Sequence, residues 1–108
     1  MNLVYRFRLH DLGCSAVYIG ETYNLYRRMA HYRNPGRPQR TNIRMNERMR
    51  AHLTERGSID IAVATEGILR VRREAVPLDL TRRAHRLLLE NAALIEAGAS
   101  GVDELENL

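Results

Sequence analysis

Nine arginines fall between residues 27 and 56, against only Glu47 and Glu55, a local balance of +7. Residues 90–108 carry five acids and no arginine, a balance of −5. A basic block of this density on part of a small domain is an electrostatic footprint suited to a phosphate backbone. All 17 basic residues are arginine. Without lysine there is no Walker-type phosphate loop, no Schiff-base chemistry and no lysine nucleophile. A GC-rich coding bias would account for the missing lysine by itself; the segregation of charge is a separate observation. Glu90 stands in the apolar run 87–95 with Leu87 and Leu94 on its own helix face, an unusual setting for a purely solvated acid. His10, His52 and His85 show no metal-ligand spacing. Cys14 is the sole cysteine, which excludes an intramolecular disulfide framework, a CxxC zinc site and a dithiol redox motif.

The elements that must position these groups are legible as periodicities. At 108 residues and 44% hydrophobic composition the chain has room for one domain, 1–108, with one modest core. Leu3, Tyr5, Phe7 and Leu9 alternate with Arg6 and Arg8, which predicts a half-buried strand, and residues 16–20 a return strand after a turn at 10–15. Thr22 or Asn24 can cap a helix to about Tyr32. Residues 33–41 read as a basic loop. A second helix from Thr41 or Asn42 stops at Gly57, and Ile59, Ile61 and Val63 mark a third strand. Residues 66–78 read equally as a short strand or a long loop. Asp79 or Thr81 caps a last helix to about Ala97, stopped by Gly98, and 99–108 reads as a tail. The expected class is α+β, a small antiparallel three-stranded sheet flanked by helices in the order β-β-α-α-β-α. Arg6 and Arg8 interrupt any apolar leader, and no run approaches the ~20 residues of a bilayer span, so a soluble cytoplasmic protein with no membrane partner is expected.

Val17-Tyr18-Ile19-Gly20, followed by Asn24-Leu25-Tyr26-Arg27-Arg28, resembles the signature of the GIY-YIG nuclease family. Tyr18-Ile19-Gly20 matches the second strand motif, and Arg28 stands ten residues after Tyr18, the family interval. Leu3-Val4-Tyr5 occupies the place of the first motif, keeping its tyrosine and lacking its glycine. Glu90 matches the glutamate of a later apolar helix, and Asn107 is a loose match to an asparagine near the module's end. Several members carry a histidine four residues after the arginine; here that position is Tyr32, and His31 precedes it. The resemblance spans the chain in outline, with its specific motifs in 3–32 and around 90.

The resemblance implies a metal-dependent DNA endonuclease. Arg28 would present a planar fork of donors to two phosphate oxygens. Glu90 would be the hard oxygen ligand of one Mg²⁺ or Mn²⁺, which keeps several waters. Tyr5 and Tyr18 would face one cleft, one of them, with Tyr5 favoured, acting as general base; only ~0.1% of an unperturbed tyrosine is phenolate at pH 7, so cations must lower its pKa. Gly20, His31 and Asn107 would assist. Taken singly, Tyr5 reads as core, Arg28 as a solvated helix charge, and Glu90, four residues after Arg86, as half of a surface ion pair.

Arg27, Arg33, Arg37, Arg40, Arg44 and Arg48 are the expected contacts to the DNA backbone, which position a substrate without reading its sequence. Sequence preference would then come from loops, a homodimer or a specificity-providing protein partner. Two other readings stand beside the nuclease. One is a non-catalytic nucleic-acid-binding module of the same fold; the other is an interaction module whose acidic C-terminal segment docks on a basic surface, including that of a second copy.

Overall fold

Alternating side chains make the first two strands two-sided. A computed structural model of the chain describes residues 2–11, 14–36, 39–55 and 57–108. Leu3–Asp11 (β1) and Cys14–Thr22 (β2) pair antiparallel from Leu3↔Thr22 to Asp11↔Cys14, and the centre of the expected turn, 12–13, lies outside the described residues. On one face Leu3, Tyr5, Phe7 and Leu9 stand beside Ala16 and Tyr18 and are fully buried. Leu25–Arg33 (α1) and Arg40–Thr54 (α2) cover this face through Tyr32 and Met45. Asn24 starts α1 by accepting the Arg27 backbone N–H on its Oδ1 at 3.0 Å. α2 begins just before the expected Thr41, with Gln39 at the cap position. It ends before Gly57, where a Cβ would lie 2.2 Å from Nε2 of the buried His52, whose ring donates to the Ser58 carbonyl at 3.0 Å.

Ser58–Ala64 (β3) adds antiparallel to the outer side of β1. Its expected apolar alternation is present, but only Ile59 packs against the core, and Ile61 remains 59% exposed. The ambiguous stretch 66–78 is a separate hairpin, Ile68–Val71 (β4) with Glu74–Pro77 (β5). Its two turn residues, Arg72 and Arg73, take φ of 48° and 71°, the left-handed region in which an L side chain crowds its own backbone. Two-residue turns of this hand favour Asn-Gly. Arg73→Gly is therefore expected to stabilise the fold by about 0.5–1 kcal/mol, net of the freedom glycine adds to the unfolded chain. Thermal unfolding would show this as a Tm a few degrees higher; a lower Tm would mean that the Arg73 side chain makes a contact worth more than its backbone strain.

Arg83–Ala99 (α3) packs on the other face of the sheet, with Ala97, Leu89, Ala93 and Leu94 against Val4, Val17 and Ile19. Asp79 does not cap it directly. Its Oδ1 accepts from the Thr81 N–H and hydroxyl at 3.1 and 2.6 Å, which holds the carboxyl below its ordinary range, and the helix starts two residues beyond Thr81. Gly98, expected as the stop, lies in the last turn, and Ser100 follows as the cap. Because α3 covers this face, Arg6 and Arg8 are not on an open side of the strand, and their Nε atoms are buried without a partner among the described residues.

The expected tail contains a strand. Glu104–Asn107 (β6) runs parallel to β2, with Ala16↔Glu104 and Ile19↔Asn107. The α+β class stands, but the main sheet is four-stranded and mixed, β3-β1-β2-β6, rather than three-stranded and antiparallel. The element order is β-β-α-α-β-β-β-α-β. α3 supplies the long crossover that a parallel neighbour requires, which a short polar segment does not announce. Among the described residues no helix is long and apolar enough to cross a membrane.

Candidate functional site

Three side chains singled out from the sequence line one cleft of about 320 Å³: Arg28 from α1, Glu90 from α3 and Asn107 from β6. Glu21, at the end of β2, and Arg83, in the first turn of α3, complete its polar wall. Glu90 is 4% exposed. Burial raises its carboxyl pKa above the ordinary value; the Asn107 side chain pulls it down, Glu21 pushes it up, and Arg83 and Arg28 pull it down. Arg86, one turn earlier, is committed elsewhere. Its Nε donates to Glu21 Oε2 at 2.7 Å, and a terminal nitrogen donates to the carbonyls of Leu80 and Thr81 and to Asn2 Oδ1 at 2.9–3.2 Å. The Arg83 Nε lies 3.7 Å from the other Glu21 oxygen. Glu21 was not apparent as a site residue in sequence. Its position directly after Gly20, at the strand end nearest α1, was the available signal.

Tyr5 does not line this cleft; it is buried, close enough to Arg28 and Glu90 for their charges to act on its hydroxyl. A Cβ on Gly20, its cross-strand partner, would stand 2.4 Å from the Tyr5 hydroxyl, so glycine is required there by close approach of a side chain. The Tyr5 and Tyr32 hydroxyls are 2.6 Å apart and buried. Burial raises the Tyr5 pKa well above the ordinary value and Tyr32 adds to this; Arg28 pulls it back and Glu90 opposes Arg28. Tyr32 is also raised by burial, while the Tyr5 hydroxyl and Arg28 lower it. Tyr32 is the functional candidate that sequence reasoning passed over in favour of His31. The spacing of four from Arg28 was the signal, because it places the two one helical turn apart.

Tyr18 does not join Tyr5. Its hydroxyl donates to Glu104 Oε1 at 2.7 Å, and its pKa is pushed up to about 12, chiefly by burial and then by that carboxylate. The two tyrosines share a face of the sheet, but β6 brings Glu104 to Tyr18 and α1 brings Tyr32 to Tyr5, so the hydroxyls go to different partners.

The basic block is partly neutralised within the molecule. Arg44 bonds Glu106, and Arg48 lies 3.8 Å from Glu104, so the acidic C-terminal segment closes on α2 of its own chain. Arg33 and Arg40 are exposed, Arg27 and His31 line a second cleft with Arg28, and Arg37 lies outside the described residues. For a divalent ion, Glu90 and Asn107, whose side chain hydrogen-bonds the Glu90 carboxylate, line one cleft and both carry hard oxygens, which fits Mg²⁺ or Mn²⁺ retaining most of its waters. No group of three or more His, Cys, Asp or Glu suited to a metal occurs among the described residues. A scan of protein-family models and searches of curated proteins and solved structures find no match to this chain.

Proposed function

We propose that the protein is a metal-dependent DNA endonuclease of the GIY-YIG type. One observation carries the reading: Arg28, Glu90 and Asn107, picked out by motif and widely separated in sequence, line a single polar cleft. Hydrolysis of a phosphodiester needs an in-line water, an acceptor for its proton and positive charge around the pentavalent phosphorus. Arg28 clamps two phosphate oxygens, and Glu90 with Asn107 would hold the divalent ion. That ion, when bound, supplies Lewis acidity and stabilises the leaving 3′ oxygen. In its minor phenolate form Tyr5 takes the proton of the attacking water, with Tyr32 hydrogen-bonded to its oxygen. Since burial keeps Tyr5 protonated, cleavage is expected to accelerate with pH through the alkaline range without a plateau near neutrality.

The test is cleavage of supercoiled plasmid, single-stranded DNA and a branched junction in Mg²⁺, Mn²⁺ or EDTA. Cutting should require metal and should fall at least a hundredfold in Arg28→Ala, the scale for losing one preorganised donor to a developing charge. Undiminished cutting by Arg28→Ala would remove the clamp from the mechanism. The buried, proton-retaining Tyr5 specifically favours the second reading, a nucleic-acid-binding module of this fold without activity. Salt-dependent DNA binding with no cleavage in any metal would select it.

A further inference from the structure

A second polar cleft, of about 270 Å³, opens on the other side of Arg28, between the start of α1 and the start of α2. Arg27, Arg28 and His31 line it, and it contains no carboxylate. Arg44, Arg48, Arg83 and Arg86 have glutamate partners, whereas no acid lines this cleft beside Arg27 and Arg28. Asn42 also lines the cleft; it is 7% exposed, and its side-chain amide has no hydrogen-bond partner among the described residues. Asn42 is not among the fully buried polar side chains without a partner, so solvent reaches its amide through the cleft and a ligand there can bond it directly.

Asn42 belongs to the first turn of α2, whose leading N–H groups have no partner within the helix. Gln39, at the cap position, does not satisfy them. Its Oε1 accepts the Gly36 N–H at 2.9 Å instead, and the first turn holds no acid. Uncapped N–H groups, the positive end of a helix, a buried amide donor and two guanidinium groups converge on an anion.

We propose that this cleft binds a phosphodiester group of a nucleic-acid strand, next to the phosphate held at Arg28 and Glu90. The placement rests on the nuclease reading; the anion specificity rests on the cleft alone. Arg28, lining both clefts, bridges consecutive phosphates, and Asn42 with the α2 N-terminus fixes the strand's register relative to Glu90.

The test is a metal-free binding titration of a labelled single-stranded oligonucleotide in EDTA, with wild type, Arg27→Ala and Asn42→Leu, each verified as folded by circular dichroism. Asn42→Leu is expected to lose roughly tenfold in affinity, the worth of a hydrogen bond to a charged group, with the salt slope unchanged. Arg27→Ala is expected to weaken binding and reduce the salt slope by about 0.7. Inorganic phosphate should move the NMR amide signals of Arg40, Thr41 and Asn42 in wild type and do so far less in Asn42→Leu. Unchanged oligonucleotide affinity in both folded variants overturns the proposal. Phosphate shifts without any loss of oligonucleotide affinity would overturn the strand assignment, showing a free-anion site. Because no metal is present, the result is independent of cleavage: tenfold weaker binding by Asn42→Leu in a protein that never cuts DNA would sink the nuclease reading and keep this site. Metal-dependent cleavage with wild-type affinity in the variants would do the reverse.

Discussion

Glu90→Gln is expected to abolish metal-dependent cleavage while raising thermal stability. The amide keeps the shape of the side chain but lacks the charge that holds a divalent ion. Losing the several kcal/mol of transition-state stabilisation supplied by a bound metal corresponds to about a thousandfold or more in rate. The stability gain follows from the raised pKa of the buried carboxyl. A group that protonates more readily folded than unfolded contributes stability that is fully present below the ordinary carboxylate pKa and is lost as pH rises through the folded value. At pH 7–8 wild type therefore carries a buried negative charge that the variant lacks. The Tm gap should open as pH rises through the raised pKa and close near pH 3, where both side chains are neutral. Added Mg²⁺ should raise the wild-type Tm and leave the variant's unchanged, by mass action on the folded state. A variant that cuts DNA at the wild-type rate, or whose Tm ignores Mg²⁺ just as the wild type's does, would remove Glu90 from the metal site.

Arg86→Met is expected to be among the most destabilising single substitutions in the protein. Arg86 is 5% exposed and holds Glu21 together with the backbone carbonyls of Leu80 and Thr81. Methionine fills a similar volume but donates nothing, leaving a largely buried carboxylate and two carbonyls without this partner. Breaking one side of a buried pair costs about 3–5 kcal/mol. In a domain of this size that lowers Tm by roughly 15 °C or more. Adding Glu21→Gln should return part of the loss by removing the stranded charge, so denaturant titration of both singles and the double separates charge from packing. A Tm within 5 °C of wild type for Arg86→Met would show that Glu21 is well solvated without it.

What the sequence carried depended on the length scale of the signal. The alternation in residues 3–9 and the Asn24 cap are local patterns, and both are realised. Arg28, Glu90 and Asn107 were findable because a motif names residue types at set positions, whatever lies between them. β6 was invisible because three of its four residues are polar and it pairs with a strand far away in sequence. With β6 missing, the partners of Tyr18, Arg44 and Arg48 were missing too, so the tyrosine pairing was misjudged and the free basic surface overestimated. Tyr32 was overlooked because a tyrosine near an apolar helix face reads as packing until its hydroxyl's neighbour is known. The double covering of the sheet, which buries parts of Arg6 and Arg8, contradicts the simplest meaning of an apolar–basic alternation.

The parallel placement of β6 beside β2 also makes the cleft depend on the end of the chain. The β1–β2 hairpin closes over neighbouring residues, whereas pairing Ala16 with Glu104 closes most of the chain into a loop, as does packing α3 on Val4. Asn107 reaches Arg28 only when the chain has returned through α3 to the free edge of β2. A chain cut after Ala99 keeps every residue of both buried clusters except flanking Leu108 and Val102. Such a chain has lost one wall of the cleft and the acids that quiet Arg44 and Arg48. It would be a more basic and stickier molecule with an unfinished centre, so that on the proposed reading its competence rests on residues 100–108.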